Sequence, residues 1–135
     1  MHEGRDLEAV FRRVEYERMQ DVYILNRKLS VEAVGFSDWR RYPLGVLITP
    51  WFMNLVWLSE SSPEHGALKL PCGEIGFMPC FEPDMGRFQI CPLFSPMHAF
   101  PDQDAARKTA IEVLRLIFAG DHGCSRRDFL RGNFL

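Results

Sequence analysis

Gly45-Val-Leu-Ile-Thr-Pro-Trp-Phe-Met-Asn-Leu-Val-Trp57 is the longest apolar segment of the chain, and Thr49-Pro50 interrupts it in the middle. Proline removes a backbone donor and clashes with the preceding helical turn, so one continuous helix does not fit. The residue before a proline also avoids the helical region. β-Branched and aromatic residues dominate both flanks. The stretch therefore predicts two strands, Leu44 to Thr49 and Phe52 to Leu58, joined by a tight Pro-Trp corner. Apolar residues fall on both faces of both strands, which predicts a central, covered position in a sheet. Asn54 is the polar exception, and a buried amide without partners costs about 1–3 kcal/mol. It either caps a backbone irregularity next to Pro50 or holds the backbone of a partner.

The flanking sequence completes an α+β pattern. From Asp6 to about Val22, Leu7, Val10, Phe11 and Val14 recur at helical spacing, and Met19, Val22 and Tyr23 continue on a rotated stripe. Glu8 and Arg12 lie at i,i+4 on the polar face. Leu25 to Ser30 reads as a polar connector, Val31 to Phe36 as a strand, and Asp38 to Pro43 as a loop. Trp39 in that loop is either a lid on the core or an exposed anchor. Ser59 to Gly66 reads as a rim loop. Leu68 to Pro71 is a short extended piece, and Glu74 to Phe81 a strand that Pro79 confines to an edge. Glu82-Pro-Asp-Met-Gly86 is a hairpin turn. Arg87 to Leu93 follows, with Phe88 and Ile90 on one face and Arg87 and Gln89 on the other; Pro92 again suggests an edge or a strand end. Asp102 is placed to cap a helix that carries Ala106, Ala110, Val113, Leu114 and Ile117 on one face and stops at Gly120. Helix, strands, helix predicts an α+β fold: an N-terminal helix, a mostly antiparallel sheet of about five strands, and a C-terminal helix packed on it. The expected organisation is one domain over residues 1–120 and a basic tail over 121–135.

Composition limits the classes of function. The 135 residues are 47% hydrophobic and 25% charged, as in a globular domain with an independent core. Aromatics reach 13%, with 11 Phe, which implies either a large core or an adhesive face. Net charge is −2 and the pI about 6.1, so no global field recruits nucleic acid. The start, Met1-His-Glu-Gly-Arg-Asp6, carries no apolar leader, and the organising stretch is too short to span a membrane. A cytoplasmic location and no stable membrane insertion are expected. Cys72, Cys80, Cys91 and Cys124 form no Cys-x-x-Cys pair, so the expectation is reduced thiols, no metal site and no cofactor.

No nucleophile elbow, phosphate loop or zinc-protease helix is present in the sequence. Asp102 and Asp104 suit the first turn of a helix better than acid–base work. Ser95 and His98 are neighbours without an orienting third group. A non-enzymatic protein is therefore expected. The tail, Ser125-Arg-Arg-Asp-Phe-Leu-Arg131, reads like the core of a twin-arginine export signal placed at the wrong end of a chain. It is either a charged surface helix or a docking segment built on Arg126, Arg127 and Phe129.

Together these stretches resemble the NiFe-hydrogenase assembly chaperone family of the HybE/HupJ type. The matching residues are Val31-Glu-Ala-Val-Gly-Phe36, Gly45 to Val56, Leu70-Pro-Cys-Gly73 and Cys91-Pro-Leu-Phe-Ser-Pro-Met97, with Phe100 and Ala105-Ala106. The resemblance runs from about Leu29 to Leu116. It implies a fold similar to type III secretion chaperones. It also implies a role in hydrogenase maturation: binding precursor subunits, large or small with its twin-arginine signal, and delaying export until assembly is complete. Other hydrogenase maturation proteins are further expected partners. Some members carry a rubredoxin-like region, and the missing Cys-x-x-Cys pairs keep that property from transferring here. The alternative is a small thiol- or metal-handling accessory protein of the same pathway.

A receptor for two arginines followed by apolar residues needs carboxylates beside an apolar groove. The candidate acids are Glu32, Glu60, Glu64, Glu74, Glu82 and Asp84. The candidate apolar anchors are Trp51, Phe52, Met53, Phe94 and Met97, each of which also suits a core. Glu74, Asp84, Asn54 and Ser95 complete the expected client-binding set. Trp51 and Met97 each follow a proline in irregular chain and are the pair expected to be exposed. Arg126 and Arg127 would occupy the same groove when client is absent.

Overall fold

The computed structural model describes residues 4–19 and 25–119. In chain order the elements are α1 (Gly4–Arg18), β1 (Glu32–Trp39), β2 (Tyr42–Ile48), β3 (Met53–Trp57), β4 (Ala67–Leu70), β5 (Gly73–Gly76), β6 (Met78–Glu82), β7 (Gly86–Phe94) and α2 (Gln103–Phe118). Five strands form an antiparallel sheet in the order β1-β2-β3-β7-β6, and β4 and β5 form a separate hairpin. The architecture is the α+β arrangement that the sequence predicts.

Two-sided burial sets β2 and β3 inside the sheet. Every residue of β3, and every residue of β2 after Tyr42, is buried. Alternation then sends Leu44, Val46 and Ile48 to one face and Leu47 to the other. The first face is covered by α2 through Ala106, Ala110, Val113 and Ile117, and by the β4–β5 hairpin through Leu68, Leu70 and Ile75. The second is covered by α1 through Leu7, Phe11 and Val14. The helices thus lie on opposite faces of the sheet. Full burial of each large apolar side chain contributes about 1.5–3 kcal/mol. Asp102 caps α2, accepting from the Ala105 N–H at 2.8 Å. The small Ala106 and Ala110 let α2 approach the sheet closely. A Cβ on Gly35, whose φ is +66°, would stand 2.5 Å from Leu114 Cδ1.

Between β2 and β3 the corner is held by Thr49. Its hydroxyl accepts from the Trp51 and Phe52 amides (3.2 and 2.9 Å) and lies 3.1 Å from the Phe52 carbonyl. A Thr or Ser hydroxyl commonly replaces ladder bonds in this way. Capping next to Pro50 therefore falls to Thr49, not to Asn54.

Several local expectations change. The stretch from Glu74 to Phe81 is not one strand: β5 pairs with β4, β6 pairs with β7, and the Phe77 amide between them donates to the Gly66 carbonyl (2.9 Å). Pro79 does lie on an edge strand. Pro92 lies in the inner strand β7, beyond Ile90, the last β7 residue that β6 pairs, so its missing N–H faces no strand on that side. Gln89 does not share the exposure of Arg87. It is buried, its amide donates to the Ser59 carbonyl (3.1 Å), and it accepts from Ser62 (3.3 Å). Trp39 is a lid: its indole N–H donates to the Lys69 carbonyl (3.2 Å) and its ring meets Phe118 edge-on.

The connector at Leu25 to Ser30 hides a structural pin. The buried Asn26 amide donates to the carbonyls of Met97 and Phe100 (2.9 and 2.8 Å). Its backbone N–H donates to the Pro50 carbonyl (2.7 Å), and its side-chain oxygen accepts from Lys28 N–H (3.1 Å). One residue joins the corner after β2 to the segment that leads into α2. Asn26→Ala leaves two carbonyls without their donors, each costing about 1–3 kcal/mol. Urea unfolding should show a loss of about 2–4 kcal/mol at unchanged m value, and a loss below about 0.5 kcal/mol would refute this role.

Candidate functional site

The two faces of the sheet are closed to different degrees. On the α2 face the cluster is continuous from Leu29 to Ile117. On the α1 face a cavity of about 150 Å³ remains. Phe11 and Val14 of α1 form its roof. Leu47, Asn54, Val56, Phe88 and Ile90 form its sheet floor, Trp51 and Phe52 one end, and Cys80 and Glu82 of β6 its open rim. Rings of Phe11, Trp51, Phe52 and Phe88 stack at 5.6–6.4 Å between centroids, mostly edge-on. Burial, followed by the nearby Glu82 carboxylate, pushes the Cys80 thiol pKa above its usual range.

The rim is acidic, and the chain fills it with its own arginines. Arg13 of α1 bonds Asp84 at 2.7 Å, and Arg18 bonds Glu82. Both carboxylates belong to the β6–β7 turn region, which the sequence identifies as a hairpin from Glu82 to Gly86. On β6, Phe81 is 64% exposed and Met78 is also exposed, so the edge strand beside the rim presents apolar surface.

The residues predicted to bind client do not converge on one place. Trp51, Phe52 and Asn54 line the cavity on the α1 face; Asp84 does not line it but pairs with Arg13 two residues beyond Glu82, which does. Met53 and Met97 are fully buried on the α2 face, with Phe94 packed against the same cluster. Trp51 and Met97, the pair expected to be exposed, are both buried: Asn26 pins the carbonyl of Met97, and α1 covers Trp51. Ser95 is exposed and its hydroxyl donates to the Trp51 carbonyl at 3.4 Å. Glu74 lines a separate open groove of about 570 Å³ with Glu64, Arg40, His65 and Lys69. Glu60 is exposed. Arg126, Arg127, Phe129 and Cys124 lie outside the described residues. Cys72 and Cys91 sit in the α2-face cluster and Cys80 in the α1-face cluster, so the sheet separates them.

Sequence reasoning missed Arg13 and Arg18, because a pairing across more than sixty residues leaves no local signal. It also missed Thr49, for which the Thr-Pro-x-Phe pattern was a readable hint.

The described residues define an α+β domain with a helix on each face of an antiparallel sheet. The family model for "[NiFe]-hydrogenase assembly, chaperone, HybE" matches residues 2–132, and the chain belongs to that family. It is 42% identical over 134 residues to protein HoxT of Cupriavidus necator, covering 85% of this chain and 75% of that one. It is 35% identical over 147 residues to the hydrogenase expression/formation protein HupJ of Bradyrhizobium diazoefficiens, covering 96% and 87%. The solution structure of HybE from Escherichia coli shares the fold, with a TM-score of 0.64 at 20% identity over 86% of this chain and 76% of that one. Among the described residues no helix is long and apolar enough to cross a membrane.

Glu32, a candidate acid, serves instead to join β1 to α2. Arg107 grips it bidentately (2.8 and 3.0 Å), and Gln103 donates to it at 2.8 Å. Its pKa is lowered, first by the Arg107 hydrogen bonds and against the opposing effect of burial. A carboxyl whose folded pKa lies below its unfolded value stabilises the fold above the unfolded pKa and loses that contribution as pH falls through the folded one. Glu32→Gln should therefore lower the urea midpoint at pH 7 and lose this deficit as the pH is taken below about 4. An equal deficit at both pH values would show that shape, not charge, carries the contact.

Proposed function

We propose that this chain is a non-enzymatic chaperone that acts in the cytoplasm on hydrogenase precursor subunits. Its clients are the large subunit, the small subunit with its twin-arginine signal, or both, and it delays export until assembly is complete. Membership of the assembly chaperone family and the relatives described as hydrogenase expression/formation proteins support the pathway. The observation that carries the signal-binding part is the α1-face groove, where an aromatic cavity opens beside the Glu82 carboxylate, with Asp84 two residues on in the same turn. A twin-arginine signal offers the matching chemistry, two planar cations followed by apolar side chains. Carboxylates hold guanidinium bidentately, and an ammonium does not reproduce that geometry. Aromatic surface accepts varied apolar partners at low entropy cost.

The test is calorimetric titration of the purified chain with a synthetic twin-arginine signal peptide from a hydrogenase small subunit, alongside its Lys-Lys form. The Arg-Arg peptide should bind, and the Lys-Lys form should bind at least about tenfold more weakly. Equal binding of the two, or binding of neither with retention of the folded large subunit, would overturn the signal-guarding reading.

A further inference from the structure

The Asn54 amide opens on the α1-face cavity. It is only 4% exposed, it lines the α1-face cavity, and its side chain makes no hydrogen bond among the described residues. No buried side-chain nitrogen or oxygen among the described residues lacks a partner, so the Asn54 polar atoms still reach the solvent of the cavity, where an entering segment could take the place of water. Its backbone neighbours offer no partner: the corner beside it is closed by Thr49, and the ladder to β7 slips at Asn54, which faces Pro92. An amide with two donors and one acceptor therefore stands ready at the floor of an aromatic cavity.

The rim supplies an independent clue. Glu82 and Asp84 are satisfied by arginines of α1, and the Glu82 side chain is only 14% exposed. Beyond Val14, α1 fully buries no further side chain among the described residues, although Met19 just past it packs part-buried against the α1-face cluster; Tyr16 is 77% exposed. The end of the helix is tied to the β6–β7 turn by two ion pairs whose arginines are more than half exposed, and such pairs are individually weak. They are weak enough for a competing cation to displace.

We propose that the Glu82/Asp84 rim, the cavity and the Asn54 amide form one peptide-docking site, which α1 holds shut with Arg13 and Arg18 until client displaces them. The chain's own contacts identify the occupant by charge complementarity. It is an extended segment with two guanidinium groups for the two carboxylates, followed by an apolar side chain. The cavity, at about 150 Å³, has room for a single large side chain and not for a drug-sized ligand. Asn54 then bonds the backbone of the entering segment, as a buried amide can with its donor and acceptor together. This assignment deepens the proposed function and rests on it for the identity of the client. Arg126 and Arg127 lie outside the described residues, and the site here rests on Arg13 and Arg18.

The test uses the full chain and two probes in calorimetric titration: the small-subunit signal peptide, and a designed Arg-Arg-Ser-Phe-Leu peptide with no other likeness to a signal. Arg13→Ala/Arg18→Ala should tighten binding of both by about tenfold, since two competing pairs are removed. Asp84→Asn should weaken it by about tenfold. Asn54→Leu should weaken it at least as much without lowering the urea midpoint, because it removes an unpartnered amide and not a structural bond; this separates lost docking from lost folding. Arg-dependent binding that none of these variants alters would overturn the site and leave the chaperone reading intact. Binding of the designed peptide alone, obeying all three variants, would uphold the site and overturn the signal-guarding reading. Failure of both probes on the wild-type chain and on Arg13→Ala/Arg18→Ala would overturn both.

Discussion

Two-sided burial of the β2–β3 ribbon is the constraint on which the rest depends. A strand that is apolar on both faces must be covered twice, and among the described residues one helix covers each face. Neither helix could do this on its own. Helices of this length draw their stability from packing, not from propensity. The ribbon in turn requires a corner that keeps its polar atoms satisfied, and Thr49 supplies this where Pro50 cannot donate.

The two coverings differ in kind. α2 is laid down tightly, with alanines against the sheet, an aspartate cap at its start and Glu32–Arg107 across its flank. The β4–β5 hairpin closes what the helix leaves open, and its Cys72 amide donates to the Ile117 carbonyl near the helix end (3.0 Å). α1 is anchored by Leu7, Phe11 and Val14, with Met19 part-buried just past its end, and is also tied by ion pairs to the β6–β7 turn. Low-stability segments are where binding sites are commonly drawn from, and the proposed groove lies on the α1 side.

Much of this was legible in the chain. The break at Thr49-Pro50, the turn at Glu82 to Gly86 and the cap at Asp102 are local patterns, and each appears where the residues place it; so do the stripe of α2 and that of α1 through Val14, whereas α1 ends at Arg18 and Val22 and Tyr23 lie outside the described residues. The family motifs Thr-Pro-Trp-Phe-Met-Asn-Leu and Leu-Phe-Ser-Pro-Met fall in the corner before β3, in β3 itself, and at the end of β7 and just beyond it. They therefore mark the centre of the fold more than an exposed surface. That explains why Met53 and Met97, legible as motif residues, proved to be core. Asn26 and Gln89 read as ordinary polar residues because a hydrogen bond to a carbonyl seventy or thirty residues away has no sequence signature.

The sequence by itself determined the class of fold, the central ribbon, the edge position of Pro79 and the family, because these follow from periodicity, backbone chemistry and motif. Only the tertiary structure decided that the helices take opposite faces, that Glu74 to Phe81 divides between two sheets, and that Arg13 and Arg18 meet Asp84 and Glu82. It alone placed Asn54 in the floor of a cavity. The reason is physical: side-chain type and spacing fix which faces must be buried, whereas the partner that buries each face, and the gap it leaves, depend on contacts between segments far apart in the chain.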